Sequence, residues 1–122
     1  MKMKTALIID DAAVMRMRLR DILEPQFAVV GEAEDGSQAL TLYENCHPDF
    51  VTLDITMPKV DGLTVLQSLI KTHPEARVII VSAVGQKQTV FKALSMGAKD
   101  FVVKPFDPER VKLAATRLFS PT

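Results

Sequence analysis

Five residues of this 122-residue chain stand where chemistry can be done: the adjacent pair Asp10-Asp11, then Asp54, Ser82 and Lys104. Each site directly follows a short apolar run. Ala6-Leu7-Ile8-Ile9 precedes the acidic pair, and Phe50-Val51-Thr52-Leu53 precedes Asp54. Val78-Ile79-Ile80-Val81 precedes Ser82, and Phe101-Val102-Val103 precedes Lys104. Three carboxylates at close range repel one another, and their pKa values rise unless a cation sits among them. Oxygen ligands completed by water suit Mg2+, which takes one or two carboxylates together with phosphate oxygens. A metal and a lysine flanking one carboxylate oxygen suit phosphoryl transfer, which needs positioning and charge neutralisation more than covalent help. On that reading Asp54 is the nucleophile and forms an acyl phosphate. Ser82 donates to a phosphoryl oxygen and Lys104 sets a point charge against another. Alone, Asp10-Asp11 reads equally well as a solvated helix cap. Taken with Asp54, Ser82 and Lys104, the convergence favours a functional site.

The elements that must position these residues follow from the same runs. Apolar stretches without alternation suit strands buried on both faces. A fifth run, Phe27 to Ala33, is more mixed and suits a place nearer a sheet edge. Helical spacing separates the runs. Met15, Leu19, Ile22 and Leu23 recur at helical intervals among Arg16, Arg18 and Arg20. Ala39, Leu40, Leu42 and Tyr43 follow Gly36-Ser37, with Ser37 as the expected cap. Leu63, Leu66, Leu69 and Ile70 follow Gly62, and Val90, Ala93 and Leu94 run into a glycine stop at Gly97. Pro108 opens a last helix through Val111, Leu113, Ala114 and Leu118. The order is (βα) five times, an α/β architecture with a parallel sheet covered on both faces. Ligands of such sheets sit at the carboxyl ends of the strands, and all five candidate residues lie there.

Composition narrows the function further. Lys plus Arg and Asp plus Glu each number 15, so the net charge is zero. That excludes an overall basic nucleic-acid binder and an acidic disordered tail. The first 61 residues carry 11 acids and 6 bases, and the remaining 61 carry 4 acids and 9 bases. A mechanism should bring these halves together. Cys46 is the only cysteine, which leaves no internal disulfide and no multi-cysteine metal site. Met1-Lys2-Met3-Lys4 resembles the start of a signal peptide, but the apolar run behind it is too short for one, or for a membrane span. A cytoplasmic protein is expected.

The constellation resembles the receiver domain of bacterial two-component response regulators. The matching elements are Asp10-Asp11, Asp54 with Met57-Pro58 and Gly62, Ser82-Ala83, Gly97-Ala98 and Lys104-Pro105. The likeness runs over essentially the whole chain, and implies one receiver domain over 1–122 with no output domain. It also implies a flavodoxin-like doubly wound sheet in the order 2-1-3-4-5. That order is carried from the family, since chemotaxis-type receivers are themselves a standing illustration of the switch-point rule. The wording Asp54-Ile55-Thr56-Met57-Pro58 and Ser82-Ala83-Val84-Gly85-Gln86 is most similar to the single-domain chemotaxis type.

By that resemblance Asp54 accepts phosphate from a histidine kinase. Mg2+ is held by Asp11, Asp54 and the backbone carbonyl of Thr56, with Asp10 acting mainly through water. Ser82 and Lys104 bind phosphoryl oxygens, and Pro105 follows a cis peptide. Phe101 occupies the aromatic switch position, so that Ser82 moving toward the phosphate lets Phe101 turn inward. The face made by helix 4, strand 5 and helix 5 then binds an output protein, such as the flagellar motor switch. Phe101 lacks the hydroxyl of the tyrosine common in chemotaxis members, so its inward state rests on packing alone. Thr56 and Val84 stand where the family sets its dephosphorylation rate. Neither is a charged or amide group that could position water, which implies slow to moderate self-dephosphorylation. A phosphatase is a further implied partner. Nucleic acid and membrane are not, and a monomer is expected. Val14 and Met17 fall where phosphodonors dock in the family.

The same residues allow rival readings. The chain can be a phosphorelay intermediate, or a receiver cut from a longer regulator, with Phe119-Ser120-Pro121-Thr122 as the start of a linker. A haloacid-dehalogenase-type phosphatase also uses an aspartate nucleophile, but it needs a second acid where Thr56 stands. A flavodoxin-like cofactor binder would set two aspartates against its phosphate. The Gly-rich dinucleotide fingerprint and the P-loop are absent. His47 and His73 each precede a proline and read as helix-end or solvent-exposed residues.

Overall fold

Three of the unalternating runs form the centre of a five-stranded parallel sheet in a computed structural model that describes residues 3–57 and 61–120. The fourth, Phe101-Val102-Val103, lies in an edge strand, where only Val102 is buried because no strand among the described residues pairs beyond it. Met1, Lys2, Pro58, Lys59, Val60, Pro121 and Thr122 lie outside the described residues. The element order is β1 (Thr5–Ile9), α1 (Ala13–Leu23), β2 (Ala28–Ala33), a 3-10 turn (Gly36–Gln38), α2 (Ala39–Cys46), β3 (Phe50–Asp54), α3 (Gly62–Thr72), β4 (Val78–Ser82), α4 (Lys87–Ser95), β5 (Asp100–Val103) and α5 (Pro108–Arg117). The strand order is β2-β1-β3-β4-β5, and every pairing is parallel.

Successive strand residues face opposite sides. Leu7, Val51, Leu53 and Ile80 therefore meet α2, α3 and α4 through Tyr43, Leu66, Leu69, Val90 and Ala93. Ile8, Phe50, Ile79 and Val102 meet α1 and α5 through Leu19, Leu23, Val111 and Ala114. Every residue of β3 and β4 is buried, which is why these runs carry no polar alternation. The mixed run forms β2 at the edge, and Val30 bulges out of the pairing between Ala6↔Val29 and Leu7↔Gly31. No helix among the described residues is long and apolar enough to cross a membrane.

Ser37 does not cap α2. Its N–H donates to the Asp35 side chain at 2.8 Å, and Asp35 caps the 3-10 turn that leads into the helix. Asp35, in extended conformation, presents its carboxylate to the first free N–H groups, the geometry a cap requires. Gly97 follows α4 with φ of 120°, a conformation that favours glycine. His47 is exposed in the left-handed conformation that ends α2, and His73 ends α3 against the Tyr43 ring.

Candidate functional site

Because β1 and β3 are neighbours, the residues at their carboxyl ends converge. Asp10 is fully buried, with Oδ1 accepting the Ala12 N–H at 2.9 Å. Asp11, next in sequence, is exposed at the rim. Asp54 ends β3 and is also buried. Its Oδ1 accepts the Thr56 N–H at 2.8 Å and the Thr56 hydroxyl at 2.6 Å, while its Oδ2 accepts from Lys104 Nζ at 3.0 Å. One carboxylate oxygen from each of Asp10, Asp11 and Asp54 lies within 4.8 Å of the others.

Lys104 Nζ also stands 3.2 Å from Asp10 Oδ2 as an ion pair. The separation alone suggests a hydrogen bond, but the alignment does not supply one, and buried Oδ2 is left without a donor. Burial pushes the Asp10 carboxyl up from its ordinary value of 3.8, and the Asp54 charge adds to this against the Ala12 bond and Lys104. Burial also pulls Lys104 down, but the Asp54 bond and the two carboxylate charges together outweigh it, and the amine stays above its ordinary 10.5. The rim thus has more negative charge than one ammonium answers. A buried acceptor held only by an ion pair and an all-oxygen donor set fit a hard divalent cation such as Mg2+.

The remaining residues fall into two places. Thr56 turns its hydroxyl back onto Asp54. Ser82 is buried at the end of β4, next to the strand bearing Asp54. Phe101 is half-buried away from the carboxylates. It shares an open, apolar cleft of about 330 Å3 with Ser82, Val84, Val90 and Phe91. The Lys104-Pro105 peptide is cis, as the resemblance implied. Val14 and Met17 are exposed on α1.

One contact was not legible in the sequence. Arg16 Nη1 donates to the Asp10 carbonyl at 2.7 Å, and its Nε donates to Glu32 at 3.0 Å. In the sequence it is one of three arginines at alternate positions on α1, with nothing local to mark it.

The chain matches the response regulator receiver domain family over residues 6–116. It is 46% identical over 116 residues to chemotaxis protein CheY of Thermotoga maritima, covering 94% of this chain and 97% of that protein. It is 52% identical over 106 residues to chemotaxis protein CheY of Bacillus subtilis, covering 86% and 88% of the two chains. Its fold superposes with a TM-score of 0.90, at 39% identity, on a chain of the CheX-CheY-BeF3-Mg2+ complex from Borrelia burgdorferi, covering 96% of this chain and 90% of that one.

Proposed function

The chain belongs to the family of response regulator receiver domains, and from that premise we propose that it is a chemotaxis-type phosphorylation switch with Asp54 as phosphoryl acceptor. The observation that carries this reading is the pairing of Lys104 with both Asp54 and Asp10, in which the buried Asp10 Oδ2 has the ion pair but no hydrogen bond. An Asp54 oxygen attacks the phosphorus of a phosphohistidine on the kinase. The P–O bond forms as the P–N bond breaks, and the imidazole nitrogen leaves with its electron pair and takes up a proton. Lys104 answers charge on the phosphoryl oxygens, and the Ser82 hydroxyl donates to one of them. Asp11, Asp54 and the Thr56 carbonyl are the groups to hold Mg2+, with Asp10 acting through water. When bound, the cation offsets the charge gathered on the phosphoryl group. The Borrelia complex, which joins a similar chain to Mg2+, BeF3 and a second protein, supports such a state.

The output follows from the cleft shared by Ser82 and Phe101. Drawing Ser82 toward a phosphoryl group opens space for the Phe101 ring, and its inward turn reshapes the α4-β5-α5 face for an output protein of the flagellar-motor-switch kind. Thr56 and Val84 offer no charged or amide group to orient water, so the phosphoryl group is lost at a slow to moderate rate without a phosphatase. The chain acts as a cytoplasmic, monomeric receiver, and is a switch, not a turnover enzyme.

Incubation with acetyl phosphate, with and without Mg2+, followed by intact mass, tests the core of this reading. One phosphoryl group is expected with Mg2+ and none in Asp54→Asn. Gain that survives Asp54→Asn, or no gain in the parent protein, refutes it.

A further inference from the structure

The arginines of α1 do different things. Arg18 is exposed, and Arg20 bonds Glu24 and Glu32 at the surface. Arg16 alone reaches the rim. Its side chain is only 14% exposed, and its two bonds run to different elements, the carbonyl after β1 and Glu32 on β2. The carbonyl it holds belongs to the peptide joining Asp10 to Asp11. The plane of that peptide sets where both carboxylates leave the chain, one buried and one at the rim.

We propose that Arg16 is a positioning residue for the acidic pair: its bond to the Asp10 carbonyl, braced by Glu32, holds the Asp10-Asp11 peptide in the orientation that binds a divalent cation. This rests on the reading of the rim as a Mg2+ site. A guanidinium suits the task because its planar fork makes two directional bonds at once, where a lysine ammonium is a point donor on a flexible stem. Glu32, which Arg16 shares with Arg20, offsets part of the arginine charge and so reduces the opposition to a metal. A peptide left free must be ordered each time the cation binds. Partners that orient metal ligands typically contribute ten-fold or more to affinity for this reason.

Calorimetric titration of the metal-free, unphosphorylated protein with Mg2+ tests the proposal, with urea unfolding in EDTA measured alongside. Arg16→Met is expected to weaken Mg2+ binding about ten-fold, and Arg16→Lys to recover part of the loss. Arg20→Met removes two bonds to Glu32 but leaves the Asp10 carbonyl untouched, and is expected to keep the wild-type affinity. A merely structural role would lower the unfolding midpoint of both Met variants and leave Mg2+ affinity unmoved. Wild-type affinity in Arg16→Met, or equal weakening in Arg20→Met, overturns the proposal. Should Arg16→Met fail to fold, Arg16→Lys decides alone, and wild-type affinity in it overturns the clamp. A parent protein that binds no Mg2+ overturns the metal reading of the rim, and this inference with it.

Discussion

Lys104 donates from Nζ to Asp54 Oδ2 at 3.0 Å across 50 positions of sequence. β4 alone separates the strands that end at these residues, and the parallel order brings both ends to one rim. The same ammonium faces Asp10, so one cation serves two buried carboxylates.

Lys104→Ala therefore leaves two buried carboxylates without their counter-charge. In EDTA the variant should lose about 2 kcal/mol, the scale of a hydrogen bond to a charged group. Mg2+ should restore much of this, because metal and ammonium answer the same charge. Urea unfolding with and without Mg2+ checks it, and an equal penalty in both conditions contradicts the shared role.

Asp10→Asn should stabilise the metal-free protein at neutral pH. The Asp10 carboxyl lies above its ordinary value of 3.8, first through burial. The folded state thus holds that proton more tightly than the unfolded chain. The group favours folding below its unfolded pKa, and this contribution is lost as pH rises through the folded value. Asparagine keeps an acceptor for the Ala12 N–H and carries no charge to bury. Thermal unfolding in EDTA should show the variant ahead at neutral pH, with the gap closing as pH falls into the acid range. No advantage at neutral pH sinks the expectation.

Phe101→Ala should separate phosphorylation from output. The ring is half-buried and lies 5.5 Å from the Arg110 guanidinium, which also donates to the Phe101 carbonyl at 2.7 Å. Truncation should cost about 2 kcal/mol, less than for a fully buried ring. Intact mass should still show one phosphoryl group, while phosphorylation-dependent changes in amide exchange across α4, β5 and α5 disappear. If those changes persist, the ring is not the switch.

Gly62→Ala should destabilise the chain beside the site. A Cβ at Gly62 would stand 2.5 Å from the Ile55 Cα and 3.0 Å from the Asp54 carbonyl oxygen, and both are backbone. Neither can rotate away, so a loss of about 1–3 kcal/mol is expected from overpacking. A denaturant midpoint equal to that of the parent protein would show that the α3 start shifts freely.

Much of this was determined by the sequence itself. Runs such as Val78-Ile79-Ile80-Val81 carry no polar residue because both faces are buried, so they read as central strands without a structure. Asp10, Asp54, Ser82 and Lys104 read as rim residues because each directly follows such a run. The charge split was a further signal. Acids from one half of the chain and Lys104 from the other meet at a single rim.

Tertiary structure decided what spacing cannot encode. Asp10 and Asp11 are identical neighbours, yet the chain leaving β1 keeps one in the interior and bends the other out to the rim. Asp35 displaced Ser37 as a cap because the choice depended on which carboxylate the extended chain turned toward the free N–H groups. Arg16 differs from Arg18 only in what lies opposite it, a carbonyl and a glutamate supplied by two other elements. Local pattern specifies which residues are buried and where strands end. The partners of a long polar side chain come from distant sequence, so only the assembled sheet assigns them.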